Sequence, residues 1–114
     1  MYKVLDQDGK KIAHIQNMII LDHKKEAVIG ILIGDCFFGK GTKVVGKIFN
    51  STVYLVNGEI VGKVERNKDQ KVESIKKGQL LEAWEILTNI KEHTCDWIKE
   101  TKKWSKKSLR EHLA

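Results

Sequence analysis

Six side chains of this 114-residue chain could carry nucleophilic or metal chemistry: His14, His23, His93 and His112, with Cys36 and Cys95. Asp22-His23 and Asp35-Cys36 close comparable apolar stretches, so a thiol beside an imidazole base is conceivable, and a reactive cysteine needs such a base to form its thiolate. Nothing in the spacing imposes that pairing. A buried, inert thiol between Asp35 and "FFG" is the simpler expectation for Cys36, and two cysteines do not make the disulfide framework of a small secreted domain. His93 and Cys95 are two apart; on a helix they point about 200° from each other and cannot hold one metal. The stretch "GKGTK" from Gly39 to Lys43 has the residues of a phosphate loop without its spacing and reads as a hairpin turn. His112 falls on an apolar side. No catalytic, cofactor-binding or metal-binding residue is assigned, and the chain reads as leaning away from enzymes.

Basic residues are the second chemical feature. The chain carries a net charge of +6, and Lys102, Lys103, Lys106, Lys107 and Arg110 crowd its last turns. If that region is helical they form one stripe, a candidate surface for anions. Without interleaved stacking aromatics it would grip nucleic acid or an acidic membrane only in a salt-sensitive, sequence-blind way. Solubility is the competing account of such a charge. Nucleic acid is therefore the second choice of partner, behind protein.

The elements that must position these groups follow from a repeat. The phrase apolar, small, any, apolar falls at Ile12-Ala13-His14-Ile15, Ile29-Gly30-Ile31-Leu32, Val45-Gly46-Lys47-Ile48 and Val61-Gly62-Lys63-Val64. Turn-compatible Asn17, Gly34, Asn50 and Arg66 keep the same period. Each unit opens with a strand ("YKVLD", "MIILD", "CFFGK", "TVYLV") and turns at Asp8-Gly9, Lys24-Lys25-Glu26, Lys40-Gly41 or Asn57-Gly58, two of them strong hairpin signals. Glycine weakens a strand, so its return at one register implies a bend, a bulge or a close approach of backbones. "DHKKEAV" is one residue longer than its counterparts and predicts a longer loop. Single hairpins are marginal, so the four must share a core. The expected fold is mainly β, with four repeated hairpins around a pseudo-four-fold axis over residues 1–67.

At these residues the chain resembles the four-fold beta flower family. The likeness spans residues 2–67 and includes the terminal glycine signature of that family, here "VNGEIVGKV". It implies four hairpins about one axis and no assigned activity. A rival resemblance, to PRC-barrel domains, rests on "VLDQDGKKIAHIQNMIILDHKKEAVIGILI" and leaves the return of the phrase at Val45 and Val61 unexplained.

Residues 68–77 read as a polar linker, with a short strand near Val72 to Ile75. Over 78–114 the positions Leu80, Ala83, Leu87, Ile90, Thr94, Trp97, Thr101, Trp104 and Ser108 alternate three and four apart, which predicts one long amphipathic helix capped at Gly78 or Ser74. At 1.5 Å per residue such a helix is about 52 Å long, whereas a body of about 66 residues is roughly 28 Å across. The overhang would expose Trp97 and Trp104. Leu87, Ile90, Trp97 and Trp104 are thus the expected protein interface, and a homo-oligomer, a dimer by preference, the expected assembly. The longest apolar stretch, "AVIGILIGDCFFG", is too short to span a bilayer, and "MYKVLDQDGKK" has no signal-peptide pattern. A cytoplasmic, self-associating or partner-binding module is the resulting expectation.

Overall fold

A computed structural model of the chain describes residues 2–41, 43–66, 75–92 and 94–113. Eight strands, β1 (Tyr2–Leu5), β2 (Lys11–Gln16), β3 (Ile19–Asp22), β4 (Val28–Ile33), β5 (Cys36–Phe38), β6 (Val44–Phe49), β7 (Thr52–Leu55) and β8 (Ile60–Arg66), pair antiparallel in sequence order. β8 returns to β1, which closes a barrel.

The register explains the small residues. In β2, β4, β6 and β8 the pairing skips Ile12, Ile29, Val45 and Val61, and the next residue of each strand faces a large one: Val4 meets Ala13, Ile20 meets Gly30, Phe37 meets Gly46 and Val53 meets Gly62. Val4, Ile20, Phe37 and Val53 are among the largest fully buried side chains. A narrow eight-stranded barrel leaves little free space in this layer, and at Gly30 and Gly46 a Cβ would run into the carbonyls of Phe38 and Tyr54 on the next strand. At Gly62 a Cβ would stand 2.5 Å from Cγ1 of Val4. The residues Ile15, Leu32, Ile48 and Val64 then pair across the next strand boundary with Ile20, Phe37, Val53 and Val4, one layer nearer the end of the barrel.

Turn chemistry follows the same order. Asp6 N–H bonds to the Lys10 carbonyl and Leu55 N–H to the Glu59 carbonyl, while the loop after β3 closes from Asp22 to Ala27, one residue later, as the longer "DHKKEAV" predicts. Gly9, Lys25 and Gly58 occupy the left-handed region in these loops, and Lys25 does so without glycine's freedom. The carboxylates of Asp6 and Asp22 support it by accepting from the N–H groups of Lys10 and Glu26.

The continuous helix expected over 78–114 is not what forms. α1 runs from Lys77 to Asn89 and α2 from Leu109 to Leu113. Between them the described residues run without helix along the barrel, Ile90 already having extended dihedrals. The reason is composition: Asn89, Thr94, Asp96, Thr101 and Ser105 are weak helix formers, and the barrel wall offers better contacts. Ile98 is buried against Tyr54 and Ile60, with Trp104 packed beside them. Ile60 donates to the Lys103 carbonyl and accepts from Ser105 N–H, as in a one-residue strand. Full burial of such a side chain contributes about 1.5–3 kcal/mol, which outweighs a helical propensity of a few tenths per residue.

The chain therefore has three apolar layers. The lumen is filled by the paired rings and plugged by Leu109 and Leu113. The outer faces of β3, β4 and β5 are covered by α1, and those of β7 and β8 by the segment around Ile98. Overall extents of 37 × 35 × 21 Å leave no 52 Å arm among the described residues. The expected linker falls largely on residues 68–74, outside those described, as does Ser74; Gly78 lies in the first turn of α1.

Candidate functional site

α1 is fixed to the barrel by one face. Ala83 and Ile90 are buried there, Ile86 and Leu87 are half-buried, and all four pack against Leu21, Val28, Ile31 and Phe38. Gln79 anchors the first turn: its amide nitrogen donates to the carbonyls of Lys25 (3.0 Å) and Glu26 (3.1 Å), and its oxygen accepts from Lys76 N–H (3.1 Å). The left-handed loop after β3 thus presents two carbonyls that one amide side chain satisfies.

The opposite face of α1 is apolar as well. Leu80 is 51% exposed, Leu81 60% and Trp84 64%. At 100° per residue Leu81 and Trp84 lie near the centre of the outer face with Lys77 and Thr88, flanked by Leu80 and Glu85. An apolar face of this kind, on a helix whose other side is already packed, is a candidate contact surface.

The four residues expected to form an interface are not brought together. Ile90 is buried, Leu87 is half-buried on the packed side of α1, and Trp104 rests against the barrel near Ile60. Trp97 remains 79% exposed, yet it has company: the Phe49 ring lies 5.9 Å away and Lys47 Nζ stands 5.6 Å from its centroid. Sequence periodicity placed Leu80 in the buried seam and passed over Leu81 and Trp84. Only the direction of the packed face, set by Gln79 and Ala83, distinguishes the two sides.

The basic stripe is also dispersed. Lys102, Lys103, Lys106, Lys107 and Arg110 are all exposed, but the first four lie on non-helical chain and only Arg110 belongs to α2. Arg110 acts on the Asp22 carboxyl. Burial pushes that carboxyl up, and the N–H groups of Glu26, Ala27 and Lys24 outweigh it, so its pKa sits below the usual value.

The thiol chemistry weighed for Cys36 is corrected by its partner. Cys36 and Cys95 form a disulfide, with their Cα atoms 6.0 Å apart. The Asp35 carboxylate lies within 4.8 Å of both sulfurs, but sulfurs joined to each other offer no thiolate to a substrate or a metal. His14 is 2% exposed; its Nε2 is 3.3 Å from the His23 carbonyl and its Nδ1 has no hydrogen-bond partner among the described residues. Burial holds its pKa below the ordinary histidine value, and Lys25 adds to the effect. His93 lies outside the described residues.

Comparison of the chain with protein-family models, with curated proteins and with solved structures found no match. No helix among the described residues is long and apolar enough to cross a membrane.

Proposed function

We propose that this protein is a non-catalytic association module, in which the barrel acts as a rigid base and the outer face of α1 is the contact surface for a second copy of the chain. The observation that carries this reading is the exposure of Leu80, Leu81 and Trp84 on a helix otherwise packed down. Charge favours a second copy over an unrelated partner. Exposed Lys76 and Lys77 stand at the start of α1, and Glu82 and Glu85 stand further along it. Two such helices placed antiparallel about a two-fold axis set each Leu81 beside Trp84 of the other copy and bring the basic ends towards the acidic ones.

We read the barrel itself as four hairpins about a pseudo-four-fold axis, of the kind the beta flower resemblance implies. The return of one bulge and one small-against-large pair in each hairpin supports this. For the compartment, the cytoplasm is the expectation from sequence, and the Cys36–Cys95 bond counts against it, since disulfides persist in oxidising surroundings.

Light scattering on the intact chain tests the association. Twice the 13.1 kDa chain mass is expected at about 100 µM, with Leu81→Glu returning a single-chain mass and Trp97→Ala leaving the dimer intact. A single-chain mass for the unaltered protein would remove the proposal. A second reading, sequence-blind attraction to anionic surfaces, is supported by the exposure of all five basic side chains. Its signature is binding to duplex DNA or acidic liposomes that fades steeply with salt.

A further inference from the structure

The two ends of the barrel are finished differently. At one end α2 closes the lumen: Leu109 and Leu113 are buried in the core, and the Leu113 carbonyl accepts from Lys40 N–H. At the other end the last layer of the lumen, Ile15, Leu32, Ile48 and Val64, forms the floor of a hollow of about 540 Å³. Ile15 is buried, but Leu32, Ile48 and Val64 are each only partly covered. Tyr2, Met18 and Phe49 stand around them as apolar walls, with Asn17 and Ser51 at the rim.

The rim is built by the turns between hairpins. Asn17 and Met18, and again Asn50 and Ser51, take two successive left-handed conformations. The carbonyls of Met18 and Ser51 are tied down by the N–H groups of Leu32 and Val64. Both turns of the rim are thus fixed by backbone bonds to two of the floor residues.

Its volume falls within the range of small-molecule sites, which commonly occupy the mouths of β-barrels and combine an apolar lining with a few polar groups. Its chemistry is selective. In a chain that is 32% charged, none of the described residues lining this hollow is charged. An ionic ligand would lose its hydration there and gain no charged partner among the described residues, whereas an apolar one exchanges water for the aliphatic floor.

We propose that the open mouth of the barrel is a binding site for an uncharged, mainly apolar small molecule. Its apolar body rests on Ile15, Leu32, Ile48 and Val64, and a polar group faces Asn17 and Ser51 at the rim. This site is separate from the outer face of α1 and stands whether or not the chain dimerises.

The test uses N-phenyl-1-naphthylamine, an uncharged apolar fluorophore, with the full chain. Saturable, single-site enhancement is expected, with affinity lowered at least tenfold by Ile48→Trp, which fills the mouth, and unchanged by Trp84→Ala on α1. Amide NMR shifts on titration should centre on Ile15, Leu32, Ile48 and Val64, and this map decides the matter even if the tryptophan variant fails to fold. Absence of saturable binding overturns the proposal, as does equal binding by folded Ile48→Trp or a shift map centred on α1. Mouth amides that shift with protein concentration alone overturn it too, since a second copy would then be the occupant.

Discussion

A Cβ on residue 46 would stand 2.7 Å from the Phe37 ring that faces Gly46 across the β5–β6 pair, and closer still to the Tyr54 carbonyl. The glycine is there because the Tyr54 backbone and the Phe37 ring together leave no room for a side chain. Gly46→Ala should therefore lower stability by about 3 kcal/mol, the upper part of the range for overpacked cores. Gly78, in the first turn of α1, has open space where its Cβ would be, and Gly78→Ala should raise stability by about 0.5–1 kcal/mol through helix propensity. Urea midpoints of the two variants should move in opposite directions; a Gly46→Ala protein as stable as the parent would contradict the packing described.

The bond between Cys36 and Cys95 closes a loop with a sequence separation of 59 and fastens the chain beyond α1 to β5. On chain-entropy grounds a loop of this length is worth about 4 kcal/mol, less any native-state adjustment. A phosphine reductant should lower the urea midpoint accordingly, and Cys95→Ser should match the reduced parent with no further response to reductant. Two reactive thiols in unreduced, denatured protein would show that the bond does not form.

What the sequence made legible divides along the distance over which each element is decided. The phrase around Ala13, Gly30, Gly46 and Gly62 could be read in one dimension, because a strand's register and its neighbour's bulk recur with the hairpin itself. The fate of Trp97 and Trp104 could not. Their spacing suits a helix, but Trp104 is placed by backbone pairing with Ile60, distant in sequence. The partner of Cys36 was hidden for the same reason: 59 residues of separation carry no geometric signal. In α1 the difficulty was different. Apolar residues occupy both sides, Ala83, Ile86 and Ile90 on one and Leu80, Leu81 and Trp84 on the other. Periodicity alone does not say which side meets the barrel.

His14 links pH to folding. Burial, followed by the nearby charge of Lys25, holds its folded-state pKa below the ordinary value of 6.5, with Lys11 acting in the same sense and the His23 carbonyl and Asp22 opposing it. The unfolded chain therefore binds this proton more readily than the folded one. The contribution is complete above about pH 6.5 and is lost as the pH falls from there through the lower folded-state value. Urea midpoints of the parent should decline between pH 7 and pH 5, and the slope should flatten in His14→Gln, whose side chain does not titrate there. Parallel slopes would mean that another group carries the dependence.

Leu113 and Leu81 separate a plugged barrel from a free-standing helix. Both are leucines of the last third of the chain, yet Leu113 is sealed in the lumen against Gly30 and Gly39, whereas Leu81 faces solvent. Leu113→Ala removes buried volume at a position that its neighbours cannot easily refill, since Gly30, which lies against its Cδ2, has no side chain to move into the space. About 2–5 kcal/mol should be lost. Leu81→Ala should change single-chain stability by less than about 0.5 kcal/mol, and should weaken association if α1 is the contact surface. Urea unfolding of the two variants at low concentration, where only single chains are present, isolates the plug. Equal midpoints would place Leu113 in solvent and return the chain after α1 to the extended arm that its periodicity suggests.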